Sequence, residues 1–571
     1  MDTHVELTRQ EKIFTLVGTL LGLLLAALDQ TIVSTAGPAI QRDLRIEPSL
    51  YAWITTSYLV AGTVMLPIYG KLSDALGRKR VLVSGILVFM AGSALCGLAQ
   101  TTLQLILFRA VQGVGSASLF TSAFAVIADL FPPSERGKYQ GLFGAVFGLS
   151  SVVGPLAGGF ITDHFGWHWV FFINLPVGAL ALAFITTRMP ALRRPGVTLS
   201  LDVAGVLSLL AFAVPLLLAL SLGRGELRPG ETGYLWGSPE STGMFALSAL
   251  GLVAFVVAER RAVDPILDLG LFGNRVFVTG SVASFFVGGC FLSAIVFLPL
   301  FMVNAVGLSA ASSGLTLTPL SVALVAGNVV TGQLVSRTGR YKPLMVGAAT
   351  LTCAAYLFMG FTLSVDSTQA EVTWKMVLVG LGLGPSIPLY TLAIQNAVPA
   401  SRVGVATAAS SFFRQMGATM GVAVMGTLFG ATLASGMQSR MAEATAGMPP
   451  ELVARLRGEG GSSVPAEEGA PSVRAFDVGA LKAQVSAQFA ARRAERADDP
   501  EVLGMLTVQE QAALGRVEKV DRALKEAFAA AVASIYRYGV AIALLALLAS
   551  LAVPSLPLRK GNAPSGPPGV E

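Results

Sequence analysis

The chain has 571 residues, 53% hydrophobic and only 13% charged, with a net charge of +6. Soluble domains carry about 25% charged residues, so this composition excludes a soluble enzyme or binding module. The surplus of lysine and arginine is not a nucleic-acid signal here; what matters is where the cations sit. Cys96, Cys290 and Cys353 all fall inside apolar runs, which argues against a disulfide framework or a metal site. No activated nucleophile, metal-ligand cluster or nucleotide loop is visible, so neither enzymatic activity nor a cofactor is expected. The Gln112-Gly113-Val114-Gly115 stretch lies mid-run and follows no strand, unlike a dinucleotide fingerprint.

Runs long enough to cross a bilayer, roughly 20 residues each, number fourteen. They are approximately 13–38, 50–69, 81–100, 102–128, 139–162, 169–187, 203–222, 242–258, 276–303, 309–335, 343–364, 376–396, 403–434 and 538–557. Only helices satisfy backbone polar groups in lipid without partners, so the expected fold class is an all-α polytopic membrane protein. The first run is too long, and lacks the cleavage site, for a removable signal. The proposed cytoplasmic segments hold twenty lysines and arginines, against five in the short outer loops. That asymmetry places both termini in the cytoplasm of a multi-pass protein in the inner (cytoplasmic) membrane.

In chain order, span one carries Asp29. Spans two and three are joined by Gly70-Lys71-Leu72-Ser73-Asp74-Ala75-Leu76-Gly77-Arg78-Lys79-Arg80. So short a turn forces an antiparallel hairpin. Span four carries Arg109 and ends near Asp129. Asp74, Arg78 and Asp129 are expected to form a charge cluster, on a turn shaped by Gly70, Gly77 and Arg80, that latches the outward-open state. The competing reading is an ordinary interfacial salt bridge worth about 0–1 kcal/mol. Span five contains Gly154-Pro155-Leu156-Ala157-Gly158-Gly159. Small residues allow close helix approach and proline bends a helix, which suits a helix that slides against its neighbours.

Spans seven and eight lie between charged linkers at 188–202 and 259–275. A degraded copy of the basic turn follows at 332–342, with Gly332, Gly339 and Arg340 retained and Ser336 in place of Asp74. Repetition of this kind marks two similar bundles. The expected division is an N-terminal six-helix bundle at 1–190, two linker helices at 191–272 and a C-terminal six-helix bundle at 273–571. A long outer insertion occupies about 435–534. Its first part, around Met448-Pro449-Pro450 and Gly458-Glu459-Gly460-Gly461, reads as a flexible loop. Val517, Val520, Leu524, Ala527, Ala531 and Ile535 are spaced by three or four residues, which predicts an amphipathic helix running into span fourteen. That helix either packs on the outer face of the second bundle or offers a docking site to a periplasmic partner.

Within the spans only Asp29, Arg109 and Arg414 are formally charged. Each costs several kcal/mol at mid-bilayer unless paired or hydrated, so each is a functional candidate. At about 1.5 Å per residue, Asp29 lies about 24 Å and Arg109 about 28 Å from the inner ends of their spans. They are therefore expected side by side in a central cavity, with Asp29 loading and releasing a proton; a static buried ion pair is the alternative. Gln112, Arg414 and Gln415 are candidate substrate-cavity residues. With Asp29 committed to protons, no second acid remains for a dication, so neutral or singly charged cargo is expected.

The turn at 70–80 resembles the G-x-L-x-D-r-x-G-r-r/k loop of the major facilitator superfamily, and Gly154-Pro155-x-x-Gly158-Gly159 resembles the motif of its antiporters. Leu28-Asp29-Gln30-Thr31-Ile32-Val33, Arg109-x2-Gln112-Gly113, Trp167 to Pro176, Asp202-x2-Gly205 and Arg414-Gln415-x-Gly417 are together similar to the fourteen-span drug:proton antiporters of the EmrB/QacA type. The resemblance covers 13–434 and span fourteen. It implies a major facilitator fold, proton-driven export of amphipathic compounds, Asp29 as the coupling acid and Arg109 as its partner. The long outer loop is not typical of that family. The expected function is multidrug efflux by a monomer; alternatives are export of lipids, siderophores or other metabolites, or a sensor or scaffold without transport.

Overall fold

A computed structural model describes residues 8–46, 48–190, 202–224, 233–307, 318–399, 402–444, 478–495 and 500–558. The described residues are almost wholly helical. The first group is α1 (Arg9–Asp43), α2 (Pro48–Leu76), α3 (Arg78–Gly97), α4 (Thr102–Leu130), α5 (Pro133–Phe165), the one-turn α6 (Trp169–Phe172) and α7 (Asn174–Arg188). A hairpin of α8 (Val203–Leu222) and α9 (Pro239–Arg261) follows. The second group is α10 (Arg275–Asn304), α11 (Thr318–Thr338), α12 (Lys342–Thr362), α13 (Gln369–Leu383), α14 (Ser386–Ala397), α15 (Val403–Ala444), α16 (Val478–Glu495) and α17 (Pro500–Ala552). Thirteen helical stretches among the described residues are long and apolar enough to cross a membrane. Helix α2, site of the second expected span, is a 29-residue helix outside that thirteen.

Both basic turns fold alike. Gly77 sits at φ 92° and Gly339 at φ 67°, a left-handed conformation that glycine adopts without strain. Each lets the chain reverse between two long helices. The glycine one helix turn or more upstream also has a matching role. A Cβ on Gly70 would lie 2.4 Å from the Ala408 Cβ on α15, and one on Gly332 would lie 2.2 Å from the Gly137 carbonyl on α5. Each repeat therefore uses a glycine to bring its second helix against the opposite group. Along the α5–α11 seam, Gly141 and Gly144 continue this close approach against Asn328.

The hairpin α8–α9 leans on both groups. Leu209, Ala213 and Leu217 pack with Val60 and Val64 of α2, Phe277 of α10 and Met416 of α15. Asp202 caps α8, its Oδ1 accepting the Gly205 amide at 2.8 Å, which gives the Asp202-x2-Gly205 signature a local structural meaning.

The amphipathic helix runs into span fourteen as expected: α17 is a single helix of 53 residues, about 80 Å at 1.5 Å per residue. Two expectations change. Helix α15 has 42 residues, so it outruns a hydrocarbon layer of about 30 Å, and the insertion consequently begins with helix rather than at residue 435. Second, charges inside membrane-length helices are not confined to Asp29, Arg109 and Arg414. Lys375, assigned to an outer loop, is fully buried on α13, bonded to the Thr362 carbonyl at 2.9 Å and paired with Glu371 at 2.5 Å. Glu259 is buried near the end of α9. Both lie close to helix ends. The proline-and-glycine segments at 448–470, and the basic residues Arg559 and Lys560, lie outside the described residues.

The amphipathic spacing corresponds to the packing. Val517, Val520, Ala527, Ala531 and Ile535 are buried, and Ala527, Phe528 and Ala531 pack on Leu433 of α15. The three cysteines are free and buried.

Candidate functional site

Asp29 on α1 has no accessible surface. Its Oδ2 accepts from Arg109 Nη1 of α4 at 2.7 Å. Its Oδ1 accepts from Gln112 Nε2 of α4 at 2.8 Å and from Asn174 Nδ2 of α7 at 2.8 Å. Arg109 and Gln112 are three residues apart, so both project from one face of α4. Arg109 also donates to the Gln112 Oε1 at 2.7 Å and to the Ile54 carbonyl at 3.4 Å. Its guanidinium lies 4.3 Å from the Tyr58 ring centre. Asn174 is itself oriented by a second bond, to Ser93 Oγ of α3 at 3.0 Å. Glycines bring the helices close enough for this network. A Cβ on Gly113 would fall 2.3 Å from the Tyr58 carbonyl, and one on Gly115 would fall 2.4 Å from the Phe89 amide.

The pair expected from depth is therefore formed, but in a different place. Asp29 is enclosed among α1, α3, α4 and α7 rather than open to a cavity, because the carboxylate turns toward three donors inside the first group. Gln112, expected on a substrate cavity, is fully buried and bonded to Asp29. Asn174, Ser93 and Tyr58 were not foreseen as parts of this site. Asn174 had one visible signal: a lone amide within the apolar stretch Trp167 to Pro176.

Helix α5 touches the Asp29 turn of α1 directly. Thr31 Oγ1 donates to the Ser150 carbonyl at 2.9 Å. A Cβ on Gly154 would sit 2.0 Å from Thr31 Oγ1, and one on Gly158 would sit 2.9 Å from the Ile32 carbonyl. Pro155 lies within the same helix. Gly159 differs: a Cβ there meets nothing within 4 Å, so its small size is not required for packing.

At the basic turn, Arg78 is buried and pairs with Asp74 at 2.6 Å and Asp129 at 2.7 Å. Its Nη1 also donates to Ser73 Oγ at 3.0 Å. The cluster extends further than the spacing implied. Asp74 Oδ2 accepts the Val405 amide at 3.1 Å, so the carboxylate sits at the N-terminal turn of α15, where free amides and the helix dipole favour an anion. Gly404 leaves room for it; a Cβ there would fall 2.3 Å from Asp74 Oδ1. Lys71 pairs with Asp264, beyond the end of α9. Arg80 is exposed and stands outside the cluster. In the second copy Ser336 turns to the Gln333 carbonyl of its own helix, at 2.8 Å, and among the described residues to no other partner. Nearby, Gln395 of α14 bonds the Phe124 carbonyl of α4 at 3.4 Å and receives Gln140 of α5 at 3.3 Å. The two groups are thus joined at the face that carries the first turn.

Arg414 and Gln415 lie on α15, well apart in sequence from its ends, and both are half-buried. Among the described residues, no ion pair or hydrogen bond engages the Arg414 guanidinium.

Comparison with known proteins gives this geometry a family. The sequence profile described as Major Facilitator Superfamily matches residues 19–422. The chain belongs to the major facilitator superfamily. This facilitator is 40% identical to the multidrug transporter protein MdtP of Bacillus subtilis (strain 168), over 73% of this chain and 75% of that one. It is 41% identical to multidrug resistance protein 3 of the same organism, over 75% and 81%. It is 34% identical to the tetracenomycin C resistance and export protein of Streptomyces glaucescens, over 75% and 78%.

Among solved structures, the facilitator fold is shared with the human organic anion transporter MFSD10 at a TM-score of 0.54 and 16% identity, covering 73% of this chain and 94% of that one. It is shared with the proton:xylose symporter XylE at a TM-score of 0.53 and 15% identity, covering 71% and 86%. The protein is a multi-pass membrane transporter of this superfamily, with relatives named for multidrug efflux and resistance. The profile ends at residue 422, so α16 and α17 lie beyond it.

Proposed function

We propose that this facilitator exports amphipathic small molecules in exchange for protons, by alternating access, as a fourteen-span drug:proton antiporter. The observation that carries the reading is Asp29. It lies mid-way along a membrane-length apolar helix with no accessible surface, and three side-chain donors hold it. A protonated carboxyl loses the charge-assisted bonds that a carboxylate accepts. Proton binding at Asp29 then loosens α1 from α4 and α7, and the Thr31–Ser150 contact passes that change to α5. Asp74, Arg78 and Asp129 are the latch of the opposite step. While Asp74 holds the start of α15, the cytoplasmic face stays shut.

In this reading both termini are cytoplasmic, in the inner membrane. Residues 1–190 and 273–571 are the two moving bundles, with 191–272 between them. The protein works as a monomer with no cofactor, and the proton gradient supplies the energy. The names of the relatives support multidrug cargo. The test is dye efflux from cells preloaded with ethidium. Wild type is expected to expel the dye, and a protonophore or Asp29→Asn is expected to abolish expulsion. Efflux that continues at full rate without a proton gradient contradicts the proposal.

A further inference from the structure

Arg414 lies well inside the apolar stretch of α15, and the mechanism above does not use it. Its surroundings show where it points. Thr407, Ser410 and Ala418, on the same face of α15, are buried. Thr407 receives a bond from Gln395 Nε2 at 3.1 Å. Gly417 and Gly421 press backbone against α10, where added Cβ atoms would meet the Phe285 carbonyl at 1.9 Å and the Gly289 Cα at 2.5 Å. A Cβ on Gly288 would fall 2.1 Å from the carbonyl of Arg414 itself. This is the interior face of α15, and it is clamped. Yet Arg414 retains accessible surface. Arg414 thus stands on a face of α15 packed within the protein, with part of the residue accessible.

The charges do not balance there. Arg109 and Asp29 neutralise each other at 2.7 Å, and Lys375 is paired with Glu371. Among the described residues no carboxylate pairs with Arg414. An unpaired guanidinium at membrane depth needs a counter-charge or water, and its planar fork matches a carboxylate or a sulfonate through two parallel bonds.

We propose that Arg414 is an anion-binding subsite and that the favoured cargo is an amphipathic monoanion bearing a carboxylate or similar group. This deepens the efflux reading and rests on it for the word cargo; the binding preference stands or falls separately. It narrows the expected neutral or singly charged cargo to an anion, because the deep charge left without a partner among the described residues is positive.

The test compares two ligands of equal shape, naphthalene-acetate and naphthalene-acetamide, by equilibrium binding to the full-length protein in phosphatidylcholine nanodiscs. Wild type is expected to bind the acid at least about tenfold more tightly than the amide, the order of one charge-assisted bidentate pair. Arg414→Gln is expected to bring the two within about twofold, while Arg414→Lys keeps most of the preference. Thermal unfolding of each variant verifies that it is folded. Equal binding of acid and amide by wild type, or a preference that persists in Arg414→Gln, overturns the proposal. So does loss of the wild-type preference when anionic lipid is added, because the guanidinium would then serve a lipid phosphate. Ethidium export without an acid preference sinks this inference alone; an acid preference without export sinks the efflux reading alone.

Discussion

Asp29 and Arg109 form a buried ion pair, and removing one partner from such a pair costs about 3–5 kcal/mol. Asp29→Asn keeps the shape of the side chain but leaves Arg109 without its counter-ion. The single variant is expected to unfold at lower temperature in detergent, and Asp29→Asn with Arg109→Gln is expected to recover much of that loss. Neither variant is expected to move protons. Recovery of both stability and proton movement in the double variant would mean that the pair is only structural. A second contrast separates two glycines of one motif. Gly154→Ala drives a methyl into Thr31, an overpacking worth about 1–3 kcal/mol, and slowed efflux is expected. Gly159→Ala meets nothing and should transport like wild type. Efflux rates of the two variants side by side decide this.

At the scale of elements, the first turn is an anion placed on a helix start. Asp74→Asn removes the charge at the N-terminus of α15 and weakens the ion pair to Arg78. Hydrogen exchange at amides 403–407 is expected to speed up about tenfold, which corresponds to ~1.4 kcal/mol of lost local stability. Ser336→Ala, at the matching place in the second turn, is expected to leave exchange at α5 and α15 unchanged. Equal effects of the two variants would mean that the repeats act alike. The projecting part of α17 offers another contrast. Ala531 is fully buried against α15 while Val508 is 67% exposed. Ala531→Asp buries an unpaired charge and should lower the melting temperature by several degrees; Val508→Asp should leave it unchanged.

At the scale of the molecule, much of the organisation was legible in the chain. Length of apolar runs located the helices, and the repeated glycine pairs at 70/77 and 332/339 announced two related hairpins. The Asp29–Arg109 pair followed from depth alone, because two opposite charges at one level in lipid have few alternatives. Direction was not legible. Spacing places a side chain on a face but does not say which neighbour that face meets. Asp29 was therefore assigned to a cavity although Asn174, 145 residues away, closes over it. Asp74 was grouped with Arg78 and Asp129, while its bond to Val405 spans 331 residues. The fusion of the amphipathic segment with the last span was legible, because the three- and four-residue spacing of Val517 to Ile535 continues into the apolar run, and the helix Pro500–Ala552 is unbroken.

The central claim is that Asp29 carries the coupled proton. The direct measurement is the pH gradient of energised inverted vesicles, followed by a fluorescent probe during addition of amphipathic compounds. Wild type is expected to dissipate part of the gradient on addition of cargo, and Asp29→Asn vesicles, matched for protein, are expected to hold it. A substrate-triggered proton flux of equal size in both would contradict the account.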